Sequence, residues 1–576
     1  MLKQSAAIQA LPRKFLPAGF AVTNWESLEP YFQQLLERPI KSKADLEEWL
    51  KDSSEVEAVV SEDACWRQIK MTCDTENKSL EEAFVFFVTQ IQPKIQPYAD
   101  RLNRKLVESP FTAELDQKKY FTYLRSIRKS IDLFREINIP ILAELSVTAQ
   151  QFGVISGKMT VEVEGKEYTL QQAAKFLESH DRQLRETVYR KINDRRSADK
   201  QALDTLYSEL VAKRQQVAVN AGFENYRDYK FAELGRFDYT KEDCFQFHDS
   251  VKKYILPLAD KIYEAKKKKL GLASLRPWDL EAEPEGTAPL RPFKTSDELL
   301  QKSIACFEKI RPFFAACLRK MDDMHRFDLD SRKGKAPGGY NCPLAETGAP
   351  FIFMNAAGQM SDVTTMVHEG GHAVHSFLAH PLELSSFKEY PMEIAEVASM
   401  AMELFSMDYW DVFFDSKEEL QRAKEHQLER VITIFPWIAT IDKFQHWVYE
   451  NPNHTLEERT ENWTAIQNEF ASKVIDFSGL ENYRGNSWQR QLHLFEVPFY
   501  YIEYGIAQLG AIGLWKQFKQ NKEAALDNYS IALSLGGTAT LPRLYEAAGL
   551  KFNFSGDNIN QLMQFVDNEM KALAEF

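Results

Sequence analysis

Apolar residues return every three or four positions through most of this chain, and that period predicts helices almost from end to end. Residues 25–155 read as helical nearly throughout. Ser79-x-x-Glu82 is a capping box ahead of the apolar run Phe84, Phe87, Val88 and Ile91, and Pro93 and Pro97 interrupt that helix. Amphipathic helices are expected over 116–133 and 171–190. Between them, alternation around Gly165 in residues 159–169 signals a short hairpin. Helix resumes over 209–219 and, after a Thr240-x-x-Asp243 cap, over 245–270 with a kink at Pro257. Residues 271–295 carry Pro277, Pro284, Pro289 and Pro292 and read as an irregular surface crossing; helix returns over 298–324 with a kink at Pro312. Residues 350–354, PFIFM, are a strand leading straight to the next helix.

That next helix, SDVTTMVHEGGHAVH at 361–375, carries the chemistry. Ser361 or Asp362 can cap its start, and Val363, Met366, Gly370, Val374 and Phe377 make one apolar stripe that should face the core. At about 100° per residue, His368 and His372 fall within roughly 40° of each other and nearly opposite the stripe, beside Thr364, Thr365 and His375. Side chains four apart sit about 5–6 Å apart at Cβ, so two imidazoles can share one divalent ion. Glu369, rotated to the side, is placed to take a proton from a water on that ion rather than to ligate it. Gly370 and Gly371 each cost about 1 kcal/mol against Ala within a helix, which points to a close neighbour or a ligand at that surface.

Composition narrows the rest. The 576 residues, with Phe 39, Tyr 22 and Trp 10, can bury a large core in two or more subdomains. A formal net charge of −13, with the short run Lys266 to Lys269 as a solvated helix end, argues against nucleic acid as a partner. No apolar run approaches the ~18 residues needed to span a bilayer, and the first twenty residues lack an apolar signal segment. The expectation is a cytoplasmic protein with no membrane partner. Cys65, Cys73, Cys244, Cys306, Cys317 and Cys342 show no CxxC spacing, so neither a disulfide framework nor a zinc knuckle is indicated.

Two histidines leave zinc short of a protein ligand. Leu378 stands where the metzincin pattern would place a third His. The following helix offers Glu393, Glu396 and Glu403 on one side, and geometry does not choose among them. His375 and His380 are weaker candidates, His375 reading better as packing or as support behind the ligands. Downstream, Tyr501 and Tyr504 lie one turn apart with Tyr500 adjacent and His493 before them; aromatic packing accounts for such a cluster as readily as catalysis does.

The chain resembles the M3 family of zinc oligopeptidases, in particular its oligoendopeptidase F branch. The similarity runs through GKAPGGY at 334–340, FMNAAGQMSDVTTMVHEGGHAVHSF, AEVAS at 395–399, HLFEVPFYYIEYG from His493 and YSIALSLGGTATLPRLYEAAGL, covering roughly residues 190–570. The resemblance implies Glu396 as the third zinc ligand, supported by Glu403. It also implies His493, Tyr501 and Tyr504 as groups that bind substrate and stabilise the transition state. Some branches of the family carry another tyrosine two turns before the last, where this chain has Val497. The implied fold is mainly α, a large zincin-type helical metallopeptidase with a small β-sheet beside the zinc helix and a deep internal channel between two helical parts. Residues 1–185 would form one wall and 186–576 the catalytic domain.

The expected activity is zinc-dependent endopeptidase cleavage of oligopeptides, one Zn²⁺ being held by His368, His372 and Glu396, and Glu369 acting as base. The 348–355 edge would align the substrate backbone by strand addition. A zinc hydrolase of non-peptide amides, or an inactive peptide-binding protein, are the alternatives.

Overall fold

Where the apolar period is strongest the chain is helical, and some prolines mark where a helix changes pitch or ends. Pro97, expected to interrupt its helix, instead lies inside the continuous Gln92–Glu108, as Pro30 and Pro436 do in theirs. The computed structural model describes residues 12–332, 334–336 and 338–574, so Pro337 of the GKAPGGY motif lies outside the described residues. The expected kinks at Pro93 and Pro257 take a common form. Each follows a π-helical turn, Phe87–Ile91 before helix Gln92–Glu108 and Val251–Ile255 before Leu256–Lys269. A proline lacks the N–H for the carbonyl four residues back and its ring pushes that carbonyl aside, so the ladder slips to the wider π spacing there. Pro312 does more than kink. Arg311 before it is extended (φ −158°, ψ 127°), which separates Ser296–Ile310 from Pro312–Asp323.

Caps redraw two further expectations. Asn77, not Ser79, caps Lys78–Phe86, its Oδ1 accepting from the Ser79 amide at 3.1 Å. The helix expected over 171–190 is broken: Leu170–Ala174 passes into a 3-10 turn, Lys175–Glu178, and a new helix, Arg182–Ala198, starts at Asp181. The Asp181 carboxylate accepts from the amides of Gln183 and Leu184 at 2.9 and 3.2 Å, and this local bonding outcompetes a continuous helix. The hairpin forms as expected from strands β1, Thr160–Val163, and β2, Lys166–Thr169; Glu164 and Gly165 both have positive φ, as a tight hairpin turn requires.

The proline-rich stretch after Lys269 is irregular as expected but only partly a surface crossing: residues 284–289 are exposed or half-buried, whereas its first part is anchored in the interior. Leu275 and Trp278 are buried, and fully buried Asp279 accepts from Arg182 and Arg185 at 2.8–3.1 Å. The stretch is fixed by what it buries rather than by regular backbone bonding.

The chain divides into two compact units. One comprises Met1–Ala143, Arg291–Leu420 and Ile506–Phe552; the other comprises Glu144–Leu290, Gln421–Gly505 and Asn553–Phe576. These units interleave along the sequence, because segments far apart in the chain pack together, and so differ from a division in chain order at 185/186. In the first unit an N-terminal helical core gathers Leu28, Leu35, Trp49 and Ile91. Its three-stranded sheet comprises β3, Phe327–Asp330; β4, Tyr340–Cys342; and β5, Phe351–Ala356, in the order β3-β5-β4. β5 pairs parallel with β3 and antiparallel with β4. The strand that leads to the HEGGH helix is therefore the middle one, with neighbours on both sides. The expected free edge at 348–355 is not there; β3 and β4 are the edges, β4 being the antiparallel one.

Candidate metal centre

The helix that carries the histidines runs Met360–Ala379 from an N-cap at Gln359. Asp362 does not cap from the front. From the third helical position its Oδ2 reaches back to accept from the amides of Gln359 and Ala357, both at 2.8 Å. The apolar stripe is buried as expected, and parts of the other faces are too: Thr364, His375 and Leu378 are buried, while Thr365, His368 and His372 are half-buried. His375 does not join the other histidines. Its ring stacks on Tyr390, centroids 3.5 Å apart, which makes it a packing residue, and burial holds it well below the usual histidine pKa.

Next in the chain comes helix Met392–Ser406, whose residues from Glu393 onward are all buried. Its approach to the HEGGH helix depends on the two glycines. A Cβ on Gly371 would stand 2.6 Å from the Ala398 carbonyl oxygen and 2.7 Å from Ser399 Cα; one on Gly370 would meet the Phe307 ring at 2.7 Å. The close neighbour that the glycines point to is, for Gly371, the backbone of the glutamate-bearing helix.

At that crossing His368, His372 and Glu396 come together, one ligand atom from each lying within 4.8 Å of the others. Glu396 Oε2 is 3.3 Å from His368 Nε2 and 3.6 Å from His372 Nε2. Ligands bonded at about 2.0–2.1 Å around a tetrahedral ion stand roughly 3.3–3.4 Å apart, so the donor set fits a zinc-sized ion with little adjustment. Both imidazoles are part-exposed while Glu396 is buried. Glu403 accepts from His368 Nδ1 at 2.7 Å, which fixes the proton there and leaves Nε2 as the ligating nitrogen. Ser399 donates to Glu396 Oε2 at 3.1 Å, a supporting bond the sequence reading missed although Ser399 lies only three residues on. Glu393 stays outside the three-residue group.

Glu369 is buried beside this cluster. Burial pushes its carboxyl up to about 7, opposed by His368; a dication on the histidines would pull it back down. Asn341 of β4 donates to the Glu369 carbonyl at 3.2 Å, and Gly339 lies close against Thr365 of the same helix. The edge strand thus abuts the helix at the residue placed as base.

The remaining candidates belong to the second unit. His493 lies on the short helix Leu492–Glu496, and Tyr501 and Tyr504 on Tyr501–Gln520. His493 Nε2 is 3.3 Å from the Tyr504 hydroxyl, and Gln491 holds Nδ1 at 2.7 Å. Tyr501 is buried, and its ring and that of Tyr500 lie 5.0 and 5.8 Å from His493. The turn between the two helices rests on Phe499, a fully buried residue at φ 66°, where a phenylalanine is strained. Gln445 Oε1 accepts from its amide at 2.6 Å, and Arg236 donates to its carbonyl while pairing with Glu503 at 2.8 Å. Sequence reasoning found neither Arg236 nor Gln445, since nothing local announces a left-handed phenylalanine.

Fold and site together define a mainly helical protein with an HExxH centre completed by a glutamate from the following helix. The chain belongs to peptidase family M3: the family's model matches residues 175–563, and that of the M3 N-terminal domain matches 15–134. Oligopeptidase PepF of Bacillus subtilis is 23% identical over 407 residues, 68% of this chain and 59% of that protein. An oligoendopeptidase F homolog of Borreliella burgdorferi is 23% identical over 378 residues, 63% and 61% of the two chains. The chain thus matches about three fifths of the length of these curated relatives. A solved structure of PZ peptidase A with an inhibitor superposes with a TM-score of 0.90 at 27% identity, covering 96% of this chain and 98% of that one.

Proposed function

We propose that the chain is a zinc-dependent endopeptidase that hydrolyses internal bonds of short peptides. The observation that carries this reading is the meeting of His368, His372 and Glu396 at zinc-like spacing, with Glu369 in the same helix and Glu403 fixing the His368 tautomer. Bound by those three side chains, a zinc ion would supply a Lewis acid for a peptide carbonyl and lower the pKa of water.

The chain's own groups do the rest. Glu369 accepts the proton of the water that attacks the carbonyl carbon and passes a proton to the amide nitrogen as the C–N bond breaks. An extended peptide pairs with β4, whose Asn341 is anchored on the HEGGH helix, rather than with the fully paired β5. His493 and Tyr504, already in contact through Nε2 and the hydroxyl, are proposed with Tyr501 as donors to the carbonyl oxygen as it gains charge. Restriction to short peptides rests on the channel that the family resemblance implies. Among the described residues no helix is long and apolar enough to cross a membrane.

Cleavage mapping by mass spectrometry on a peptide library and one folded protein, wild type beside Glu369→Gln, tests this. Internal cuts in short peptides, an intact folded protein and a rate lowered by roughly 10²–10⁴ in the variant are expected. A wild type that binds zinc and cuts no peptide sinks the reading.

A further inference from the structure

A second cluster of ligand-type side chains lies in the other unit and shares no residue with the HEGGH centre. Helix Lys241–Ser250 carries Cys244 and His248, and helix Lys417–Glu450 carries Asp442 and His446. In each helix the pair is four residues apart, so both members share a face. All four side chains meet where the helices pack, and none is more than 3% exposed.

Cys244, Asp442 and His446 each bring one ligand atom within 4.8 Å of the other two. His248 Nε2 is 2.8 Å from Asp442 Oδ2, and His446 Nε2 is 3.3 Å from the same oxygen. Two features of this group are unexplained by protein contacts alone. Asp442 Oδ1 and His446 Nδ1 have no hydrogen-bond partner, and His446 Nε2 has only the long 3.3 Å approach to Asp442 Oδ2. Buried polar atoms without partners are rare in folded proteins, and here they belong to two ligand-type groups that face each other. A shared cation would satisfy both at once.

We propose that Cys244, Asp442 and His446 form a second, structural metal site for a dication of the zinc class, with His248 supporting Asp442 through the 2.8 Å contact of its Nε2 with Oδ2. Charge and softness agree with that choice. A thiolate and a carboxylate together balance a dication, and a thiolate with imidazole selects zinc over magnesium or calcium. The surroundings are those of a closed site. The His446 ring is flanked by Phe245, Phe499 and Phe231 at 4.9, 5.4 and 5.8 Å. Because nothing in the cluster is open to solvent, the ion enters as the unit folds and leaves only when it unfolds.

The site also has a structural use. Phe499, which packs on His446, is the left-handed residue on which the His493–Tyr504 turn is built. An ion that locks His446 locks the surface beneath that turn.

The test is zinc per chain, by plasma mass spectrometry, on the full chain purified with zinc. Wild type is compared with His368→Ala/His372→Ala and with the same variant carrying Cys244→Ser. The expected contents are two, one and none. X-ray absorption at the zinc edge of the double variant supplies a readout that leaves the cluster unaltered, should the cysteine variant fold poorly. A sulfur neighbour is expected there, because the HEGGH centre offers only nitrogen and oxygen. No zinc in the double variant, or zinc with nitrogen and oxygen neighbours alone, overturns the proposal. If instead the HEGGH reading is the one at fault, wild type holds a single zinc and that zinc has a sulfur neighbour, so the two failures are told apart.

Discussion

Gly371→Ala is the sharpest test of how the first centre is assembled, because one methyl group would stand between the two helices that supply the ligands. Its carbon would lie 2.6 Å from the Ala398 carbonyl oxygen, where ordinary contact starts at 3.4 Å, and the listener on the other side is backbone, which cannot rotate away. The helices must part by about 0.8 Å, whereas a metal site tolerates about 0.2 Å in its bond lengths. Overpacking costs about 1–3 kcal/mol, and the gain in helix propensity returns about 1. The net loss of metal-free stability is therefore modest, up to about 2 kcal/mol. Zinc affinity should suffer more, by at least the 10–100-fold that misplacing a ligand's supporting group typically costs.

Gly370→Ala is the control. Its methyl meets the edge of the Phe307 ring at 2.7 Å, a side chain that can shift without moving a ligand. Competition with a chromophoric chelator gives the zinc Kd of both, and thermal unfolding in chelator gives their stability. The expected result is similar destabilisation but a weakened zinc Kd for Gly371→Ala alone. A folded Gly371→Ala with the affinity of wild type would refute the account of the crossing.

Three more substitutions probe other supports. Glu403→Ala removes the acceptor of the His368 Nδ1 proton and should weaken zinc roughly 10–100-fold in the same chelator assay, with little change in metal-free stability. Arg236→Met strips the buried partner from Glu503 and the donor from the Phe499 carbonyl; a loss of about 3–5 kcal/mol is expected by urea unfolding, and a loss below 1 would contradict a structural role. For Asp279, burial raises the carboxyl pKa but Arg182 and Arg185 outweigh it and hold it below the ordinary value. A depressed carboxylate stabilises above its unfolded pKa of about 3.9 and loses that contribution as pH falls through the folded value. Asp279→Asn should therefore be less stable near neutrality and decline less steeply below about pH 4; parallel urea midpoints across pH for the two proteins would count against the ion pair.

What could be read from the sequence was what neighbours in the chain determine. HEGGH on a helix, the Thr240-x-x-Asp243 cap and the hairpin around Gly165 all follow from residues within a few positions of one another. The choice of Glu396 did not, since Glu393, Glu396 and Glu403 share a side of their helix. The family resemblance chose it, and in the structure it is Glu396 that lies beside both imidazoles. Sheet order was illegible for a related reason: β5 acquires β3 as a parallel neighbour across an intervening β4, and no alternation within PFIFM encodes that. His375 was legible as a packing residue rather than a ligand, but angular position gives only a direction from the apolar stripe and not the neighbour that waits there. Tyr390, fifteen residues on, buries that side of the helix.

The two clusters use one building rule to opposite ends. In each, a pair four residues apart on one helix meets a third ligand from a second helix, so rigid elements rather than loops set the spacing. What differs is access. His368 and His372 keep 19% and 15% of their side-chain surface exposed and have Glu369 beside them, so substrate and water can arrive and a proton can be moved. Cys244, Asp442 and His446 sit behind phenylalanines. A thiolate beside an imidazole suits zinc in the closed second cluster, and a carboxylate third ligand would leave an ion at the first with an open position for water or substrate. The burial of each donor set therefore fits the two proposed roles, turnover at the part-exposed HEGGH cluster and support of the fold at the buried one.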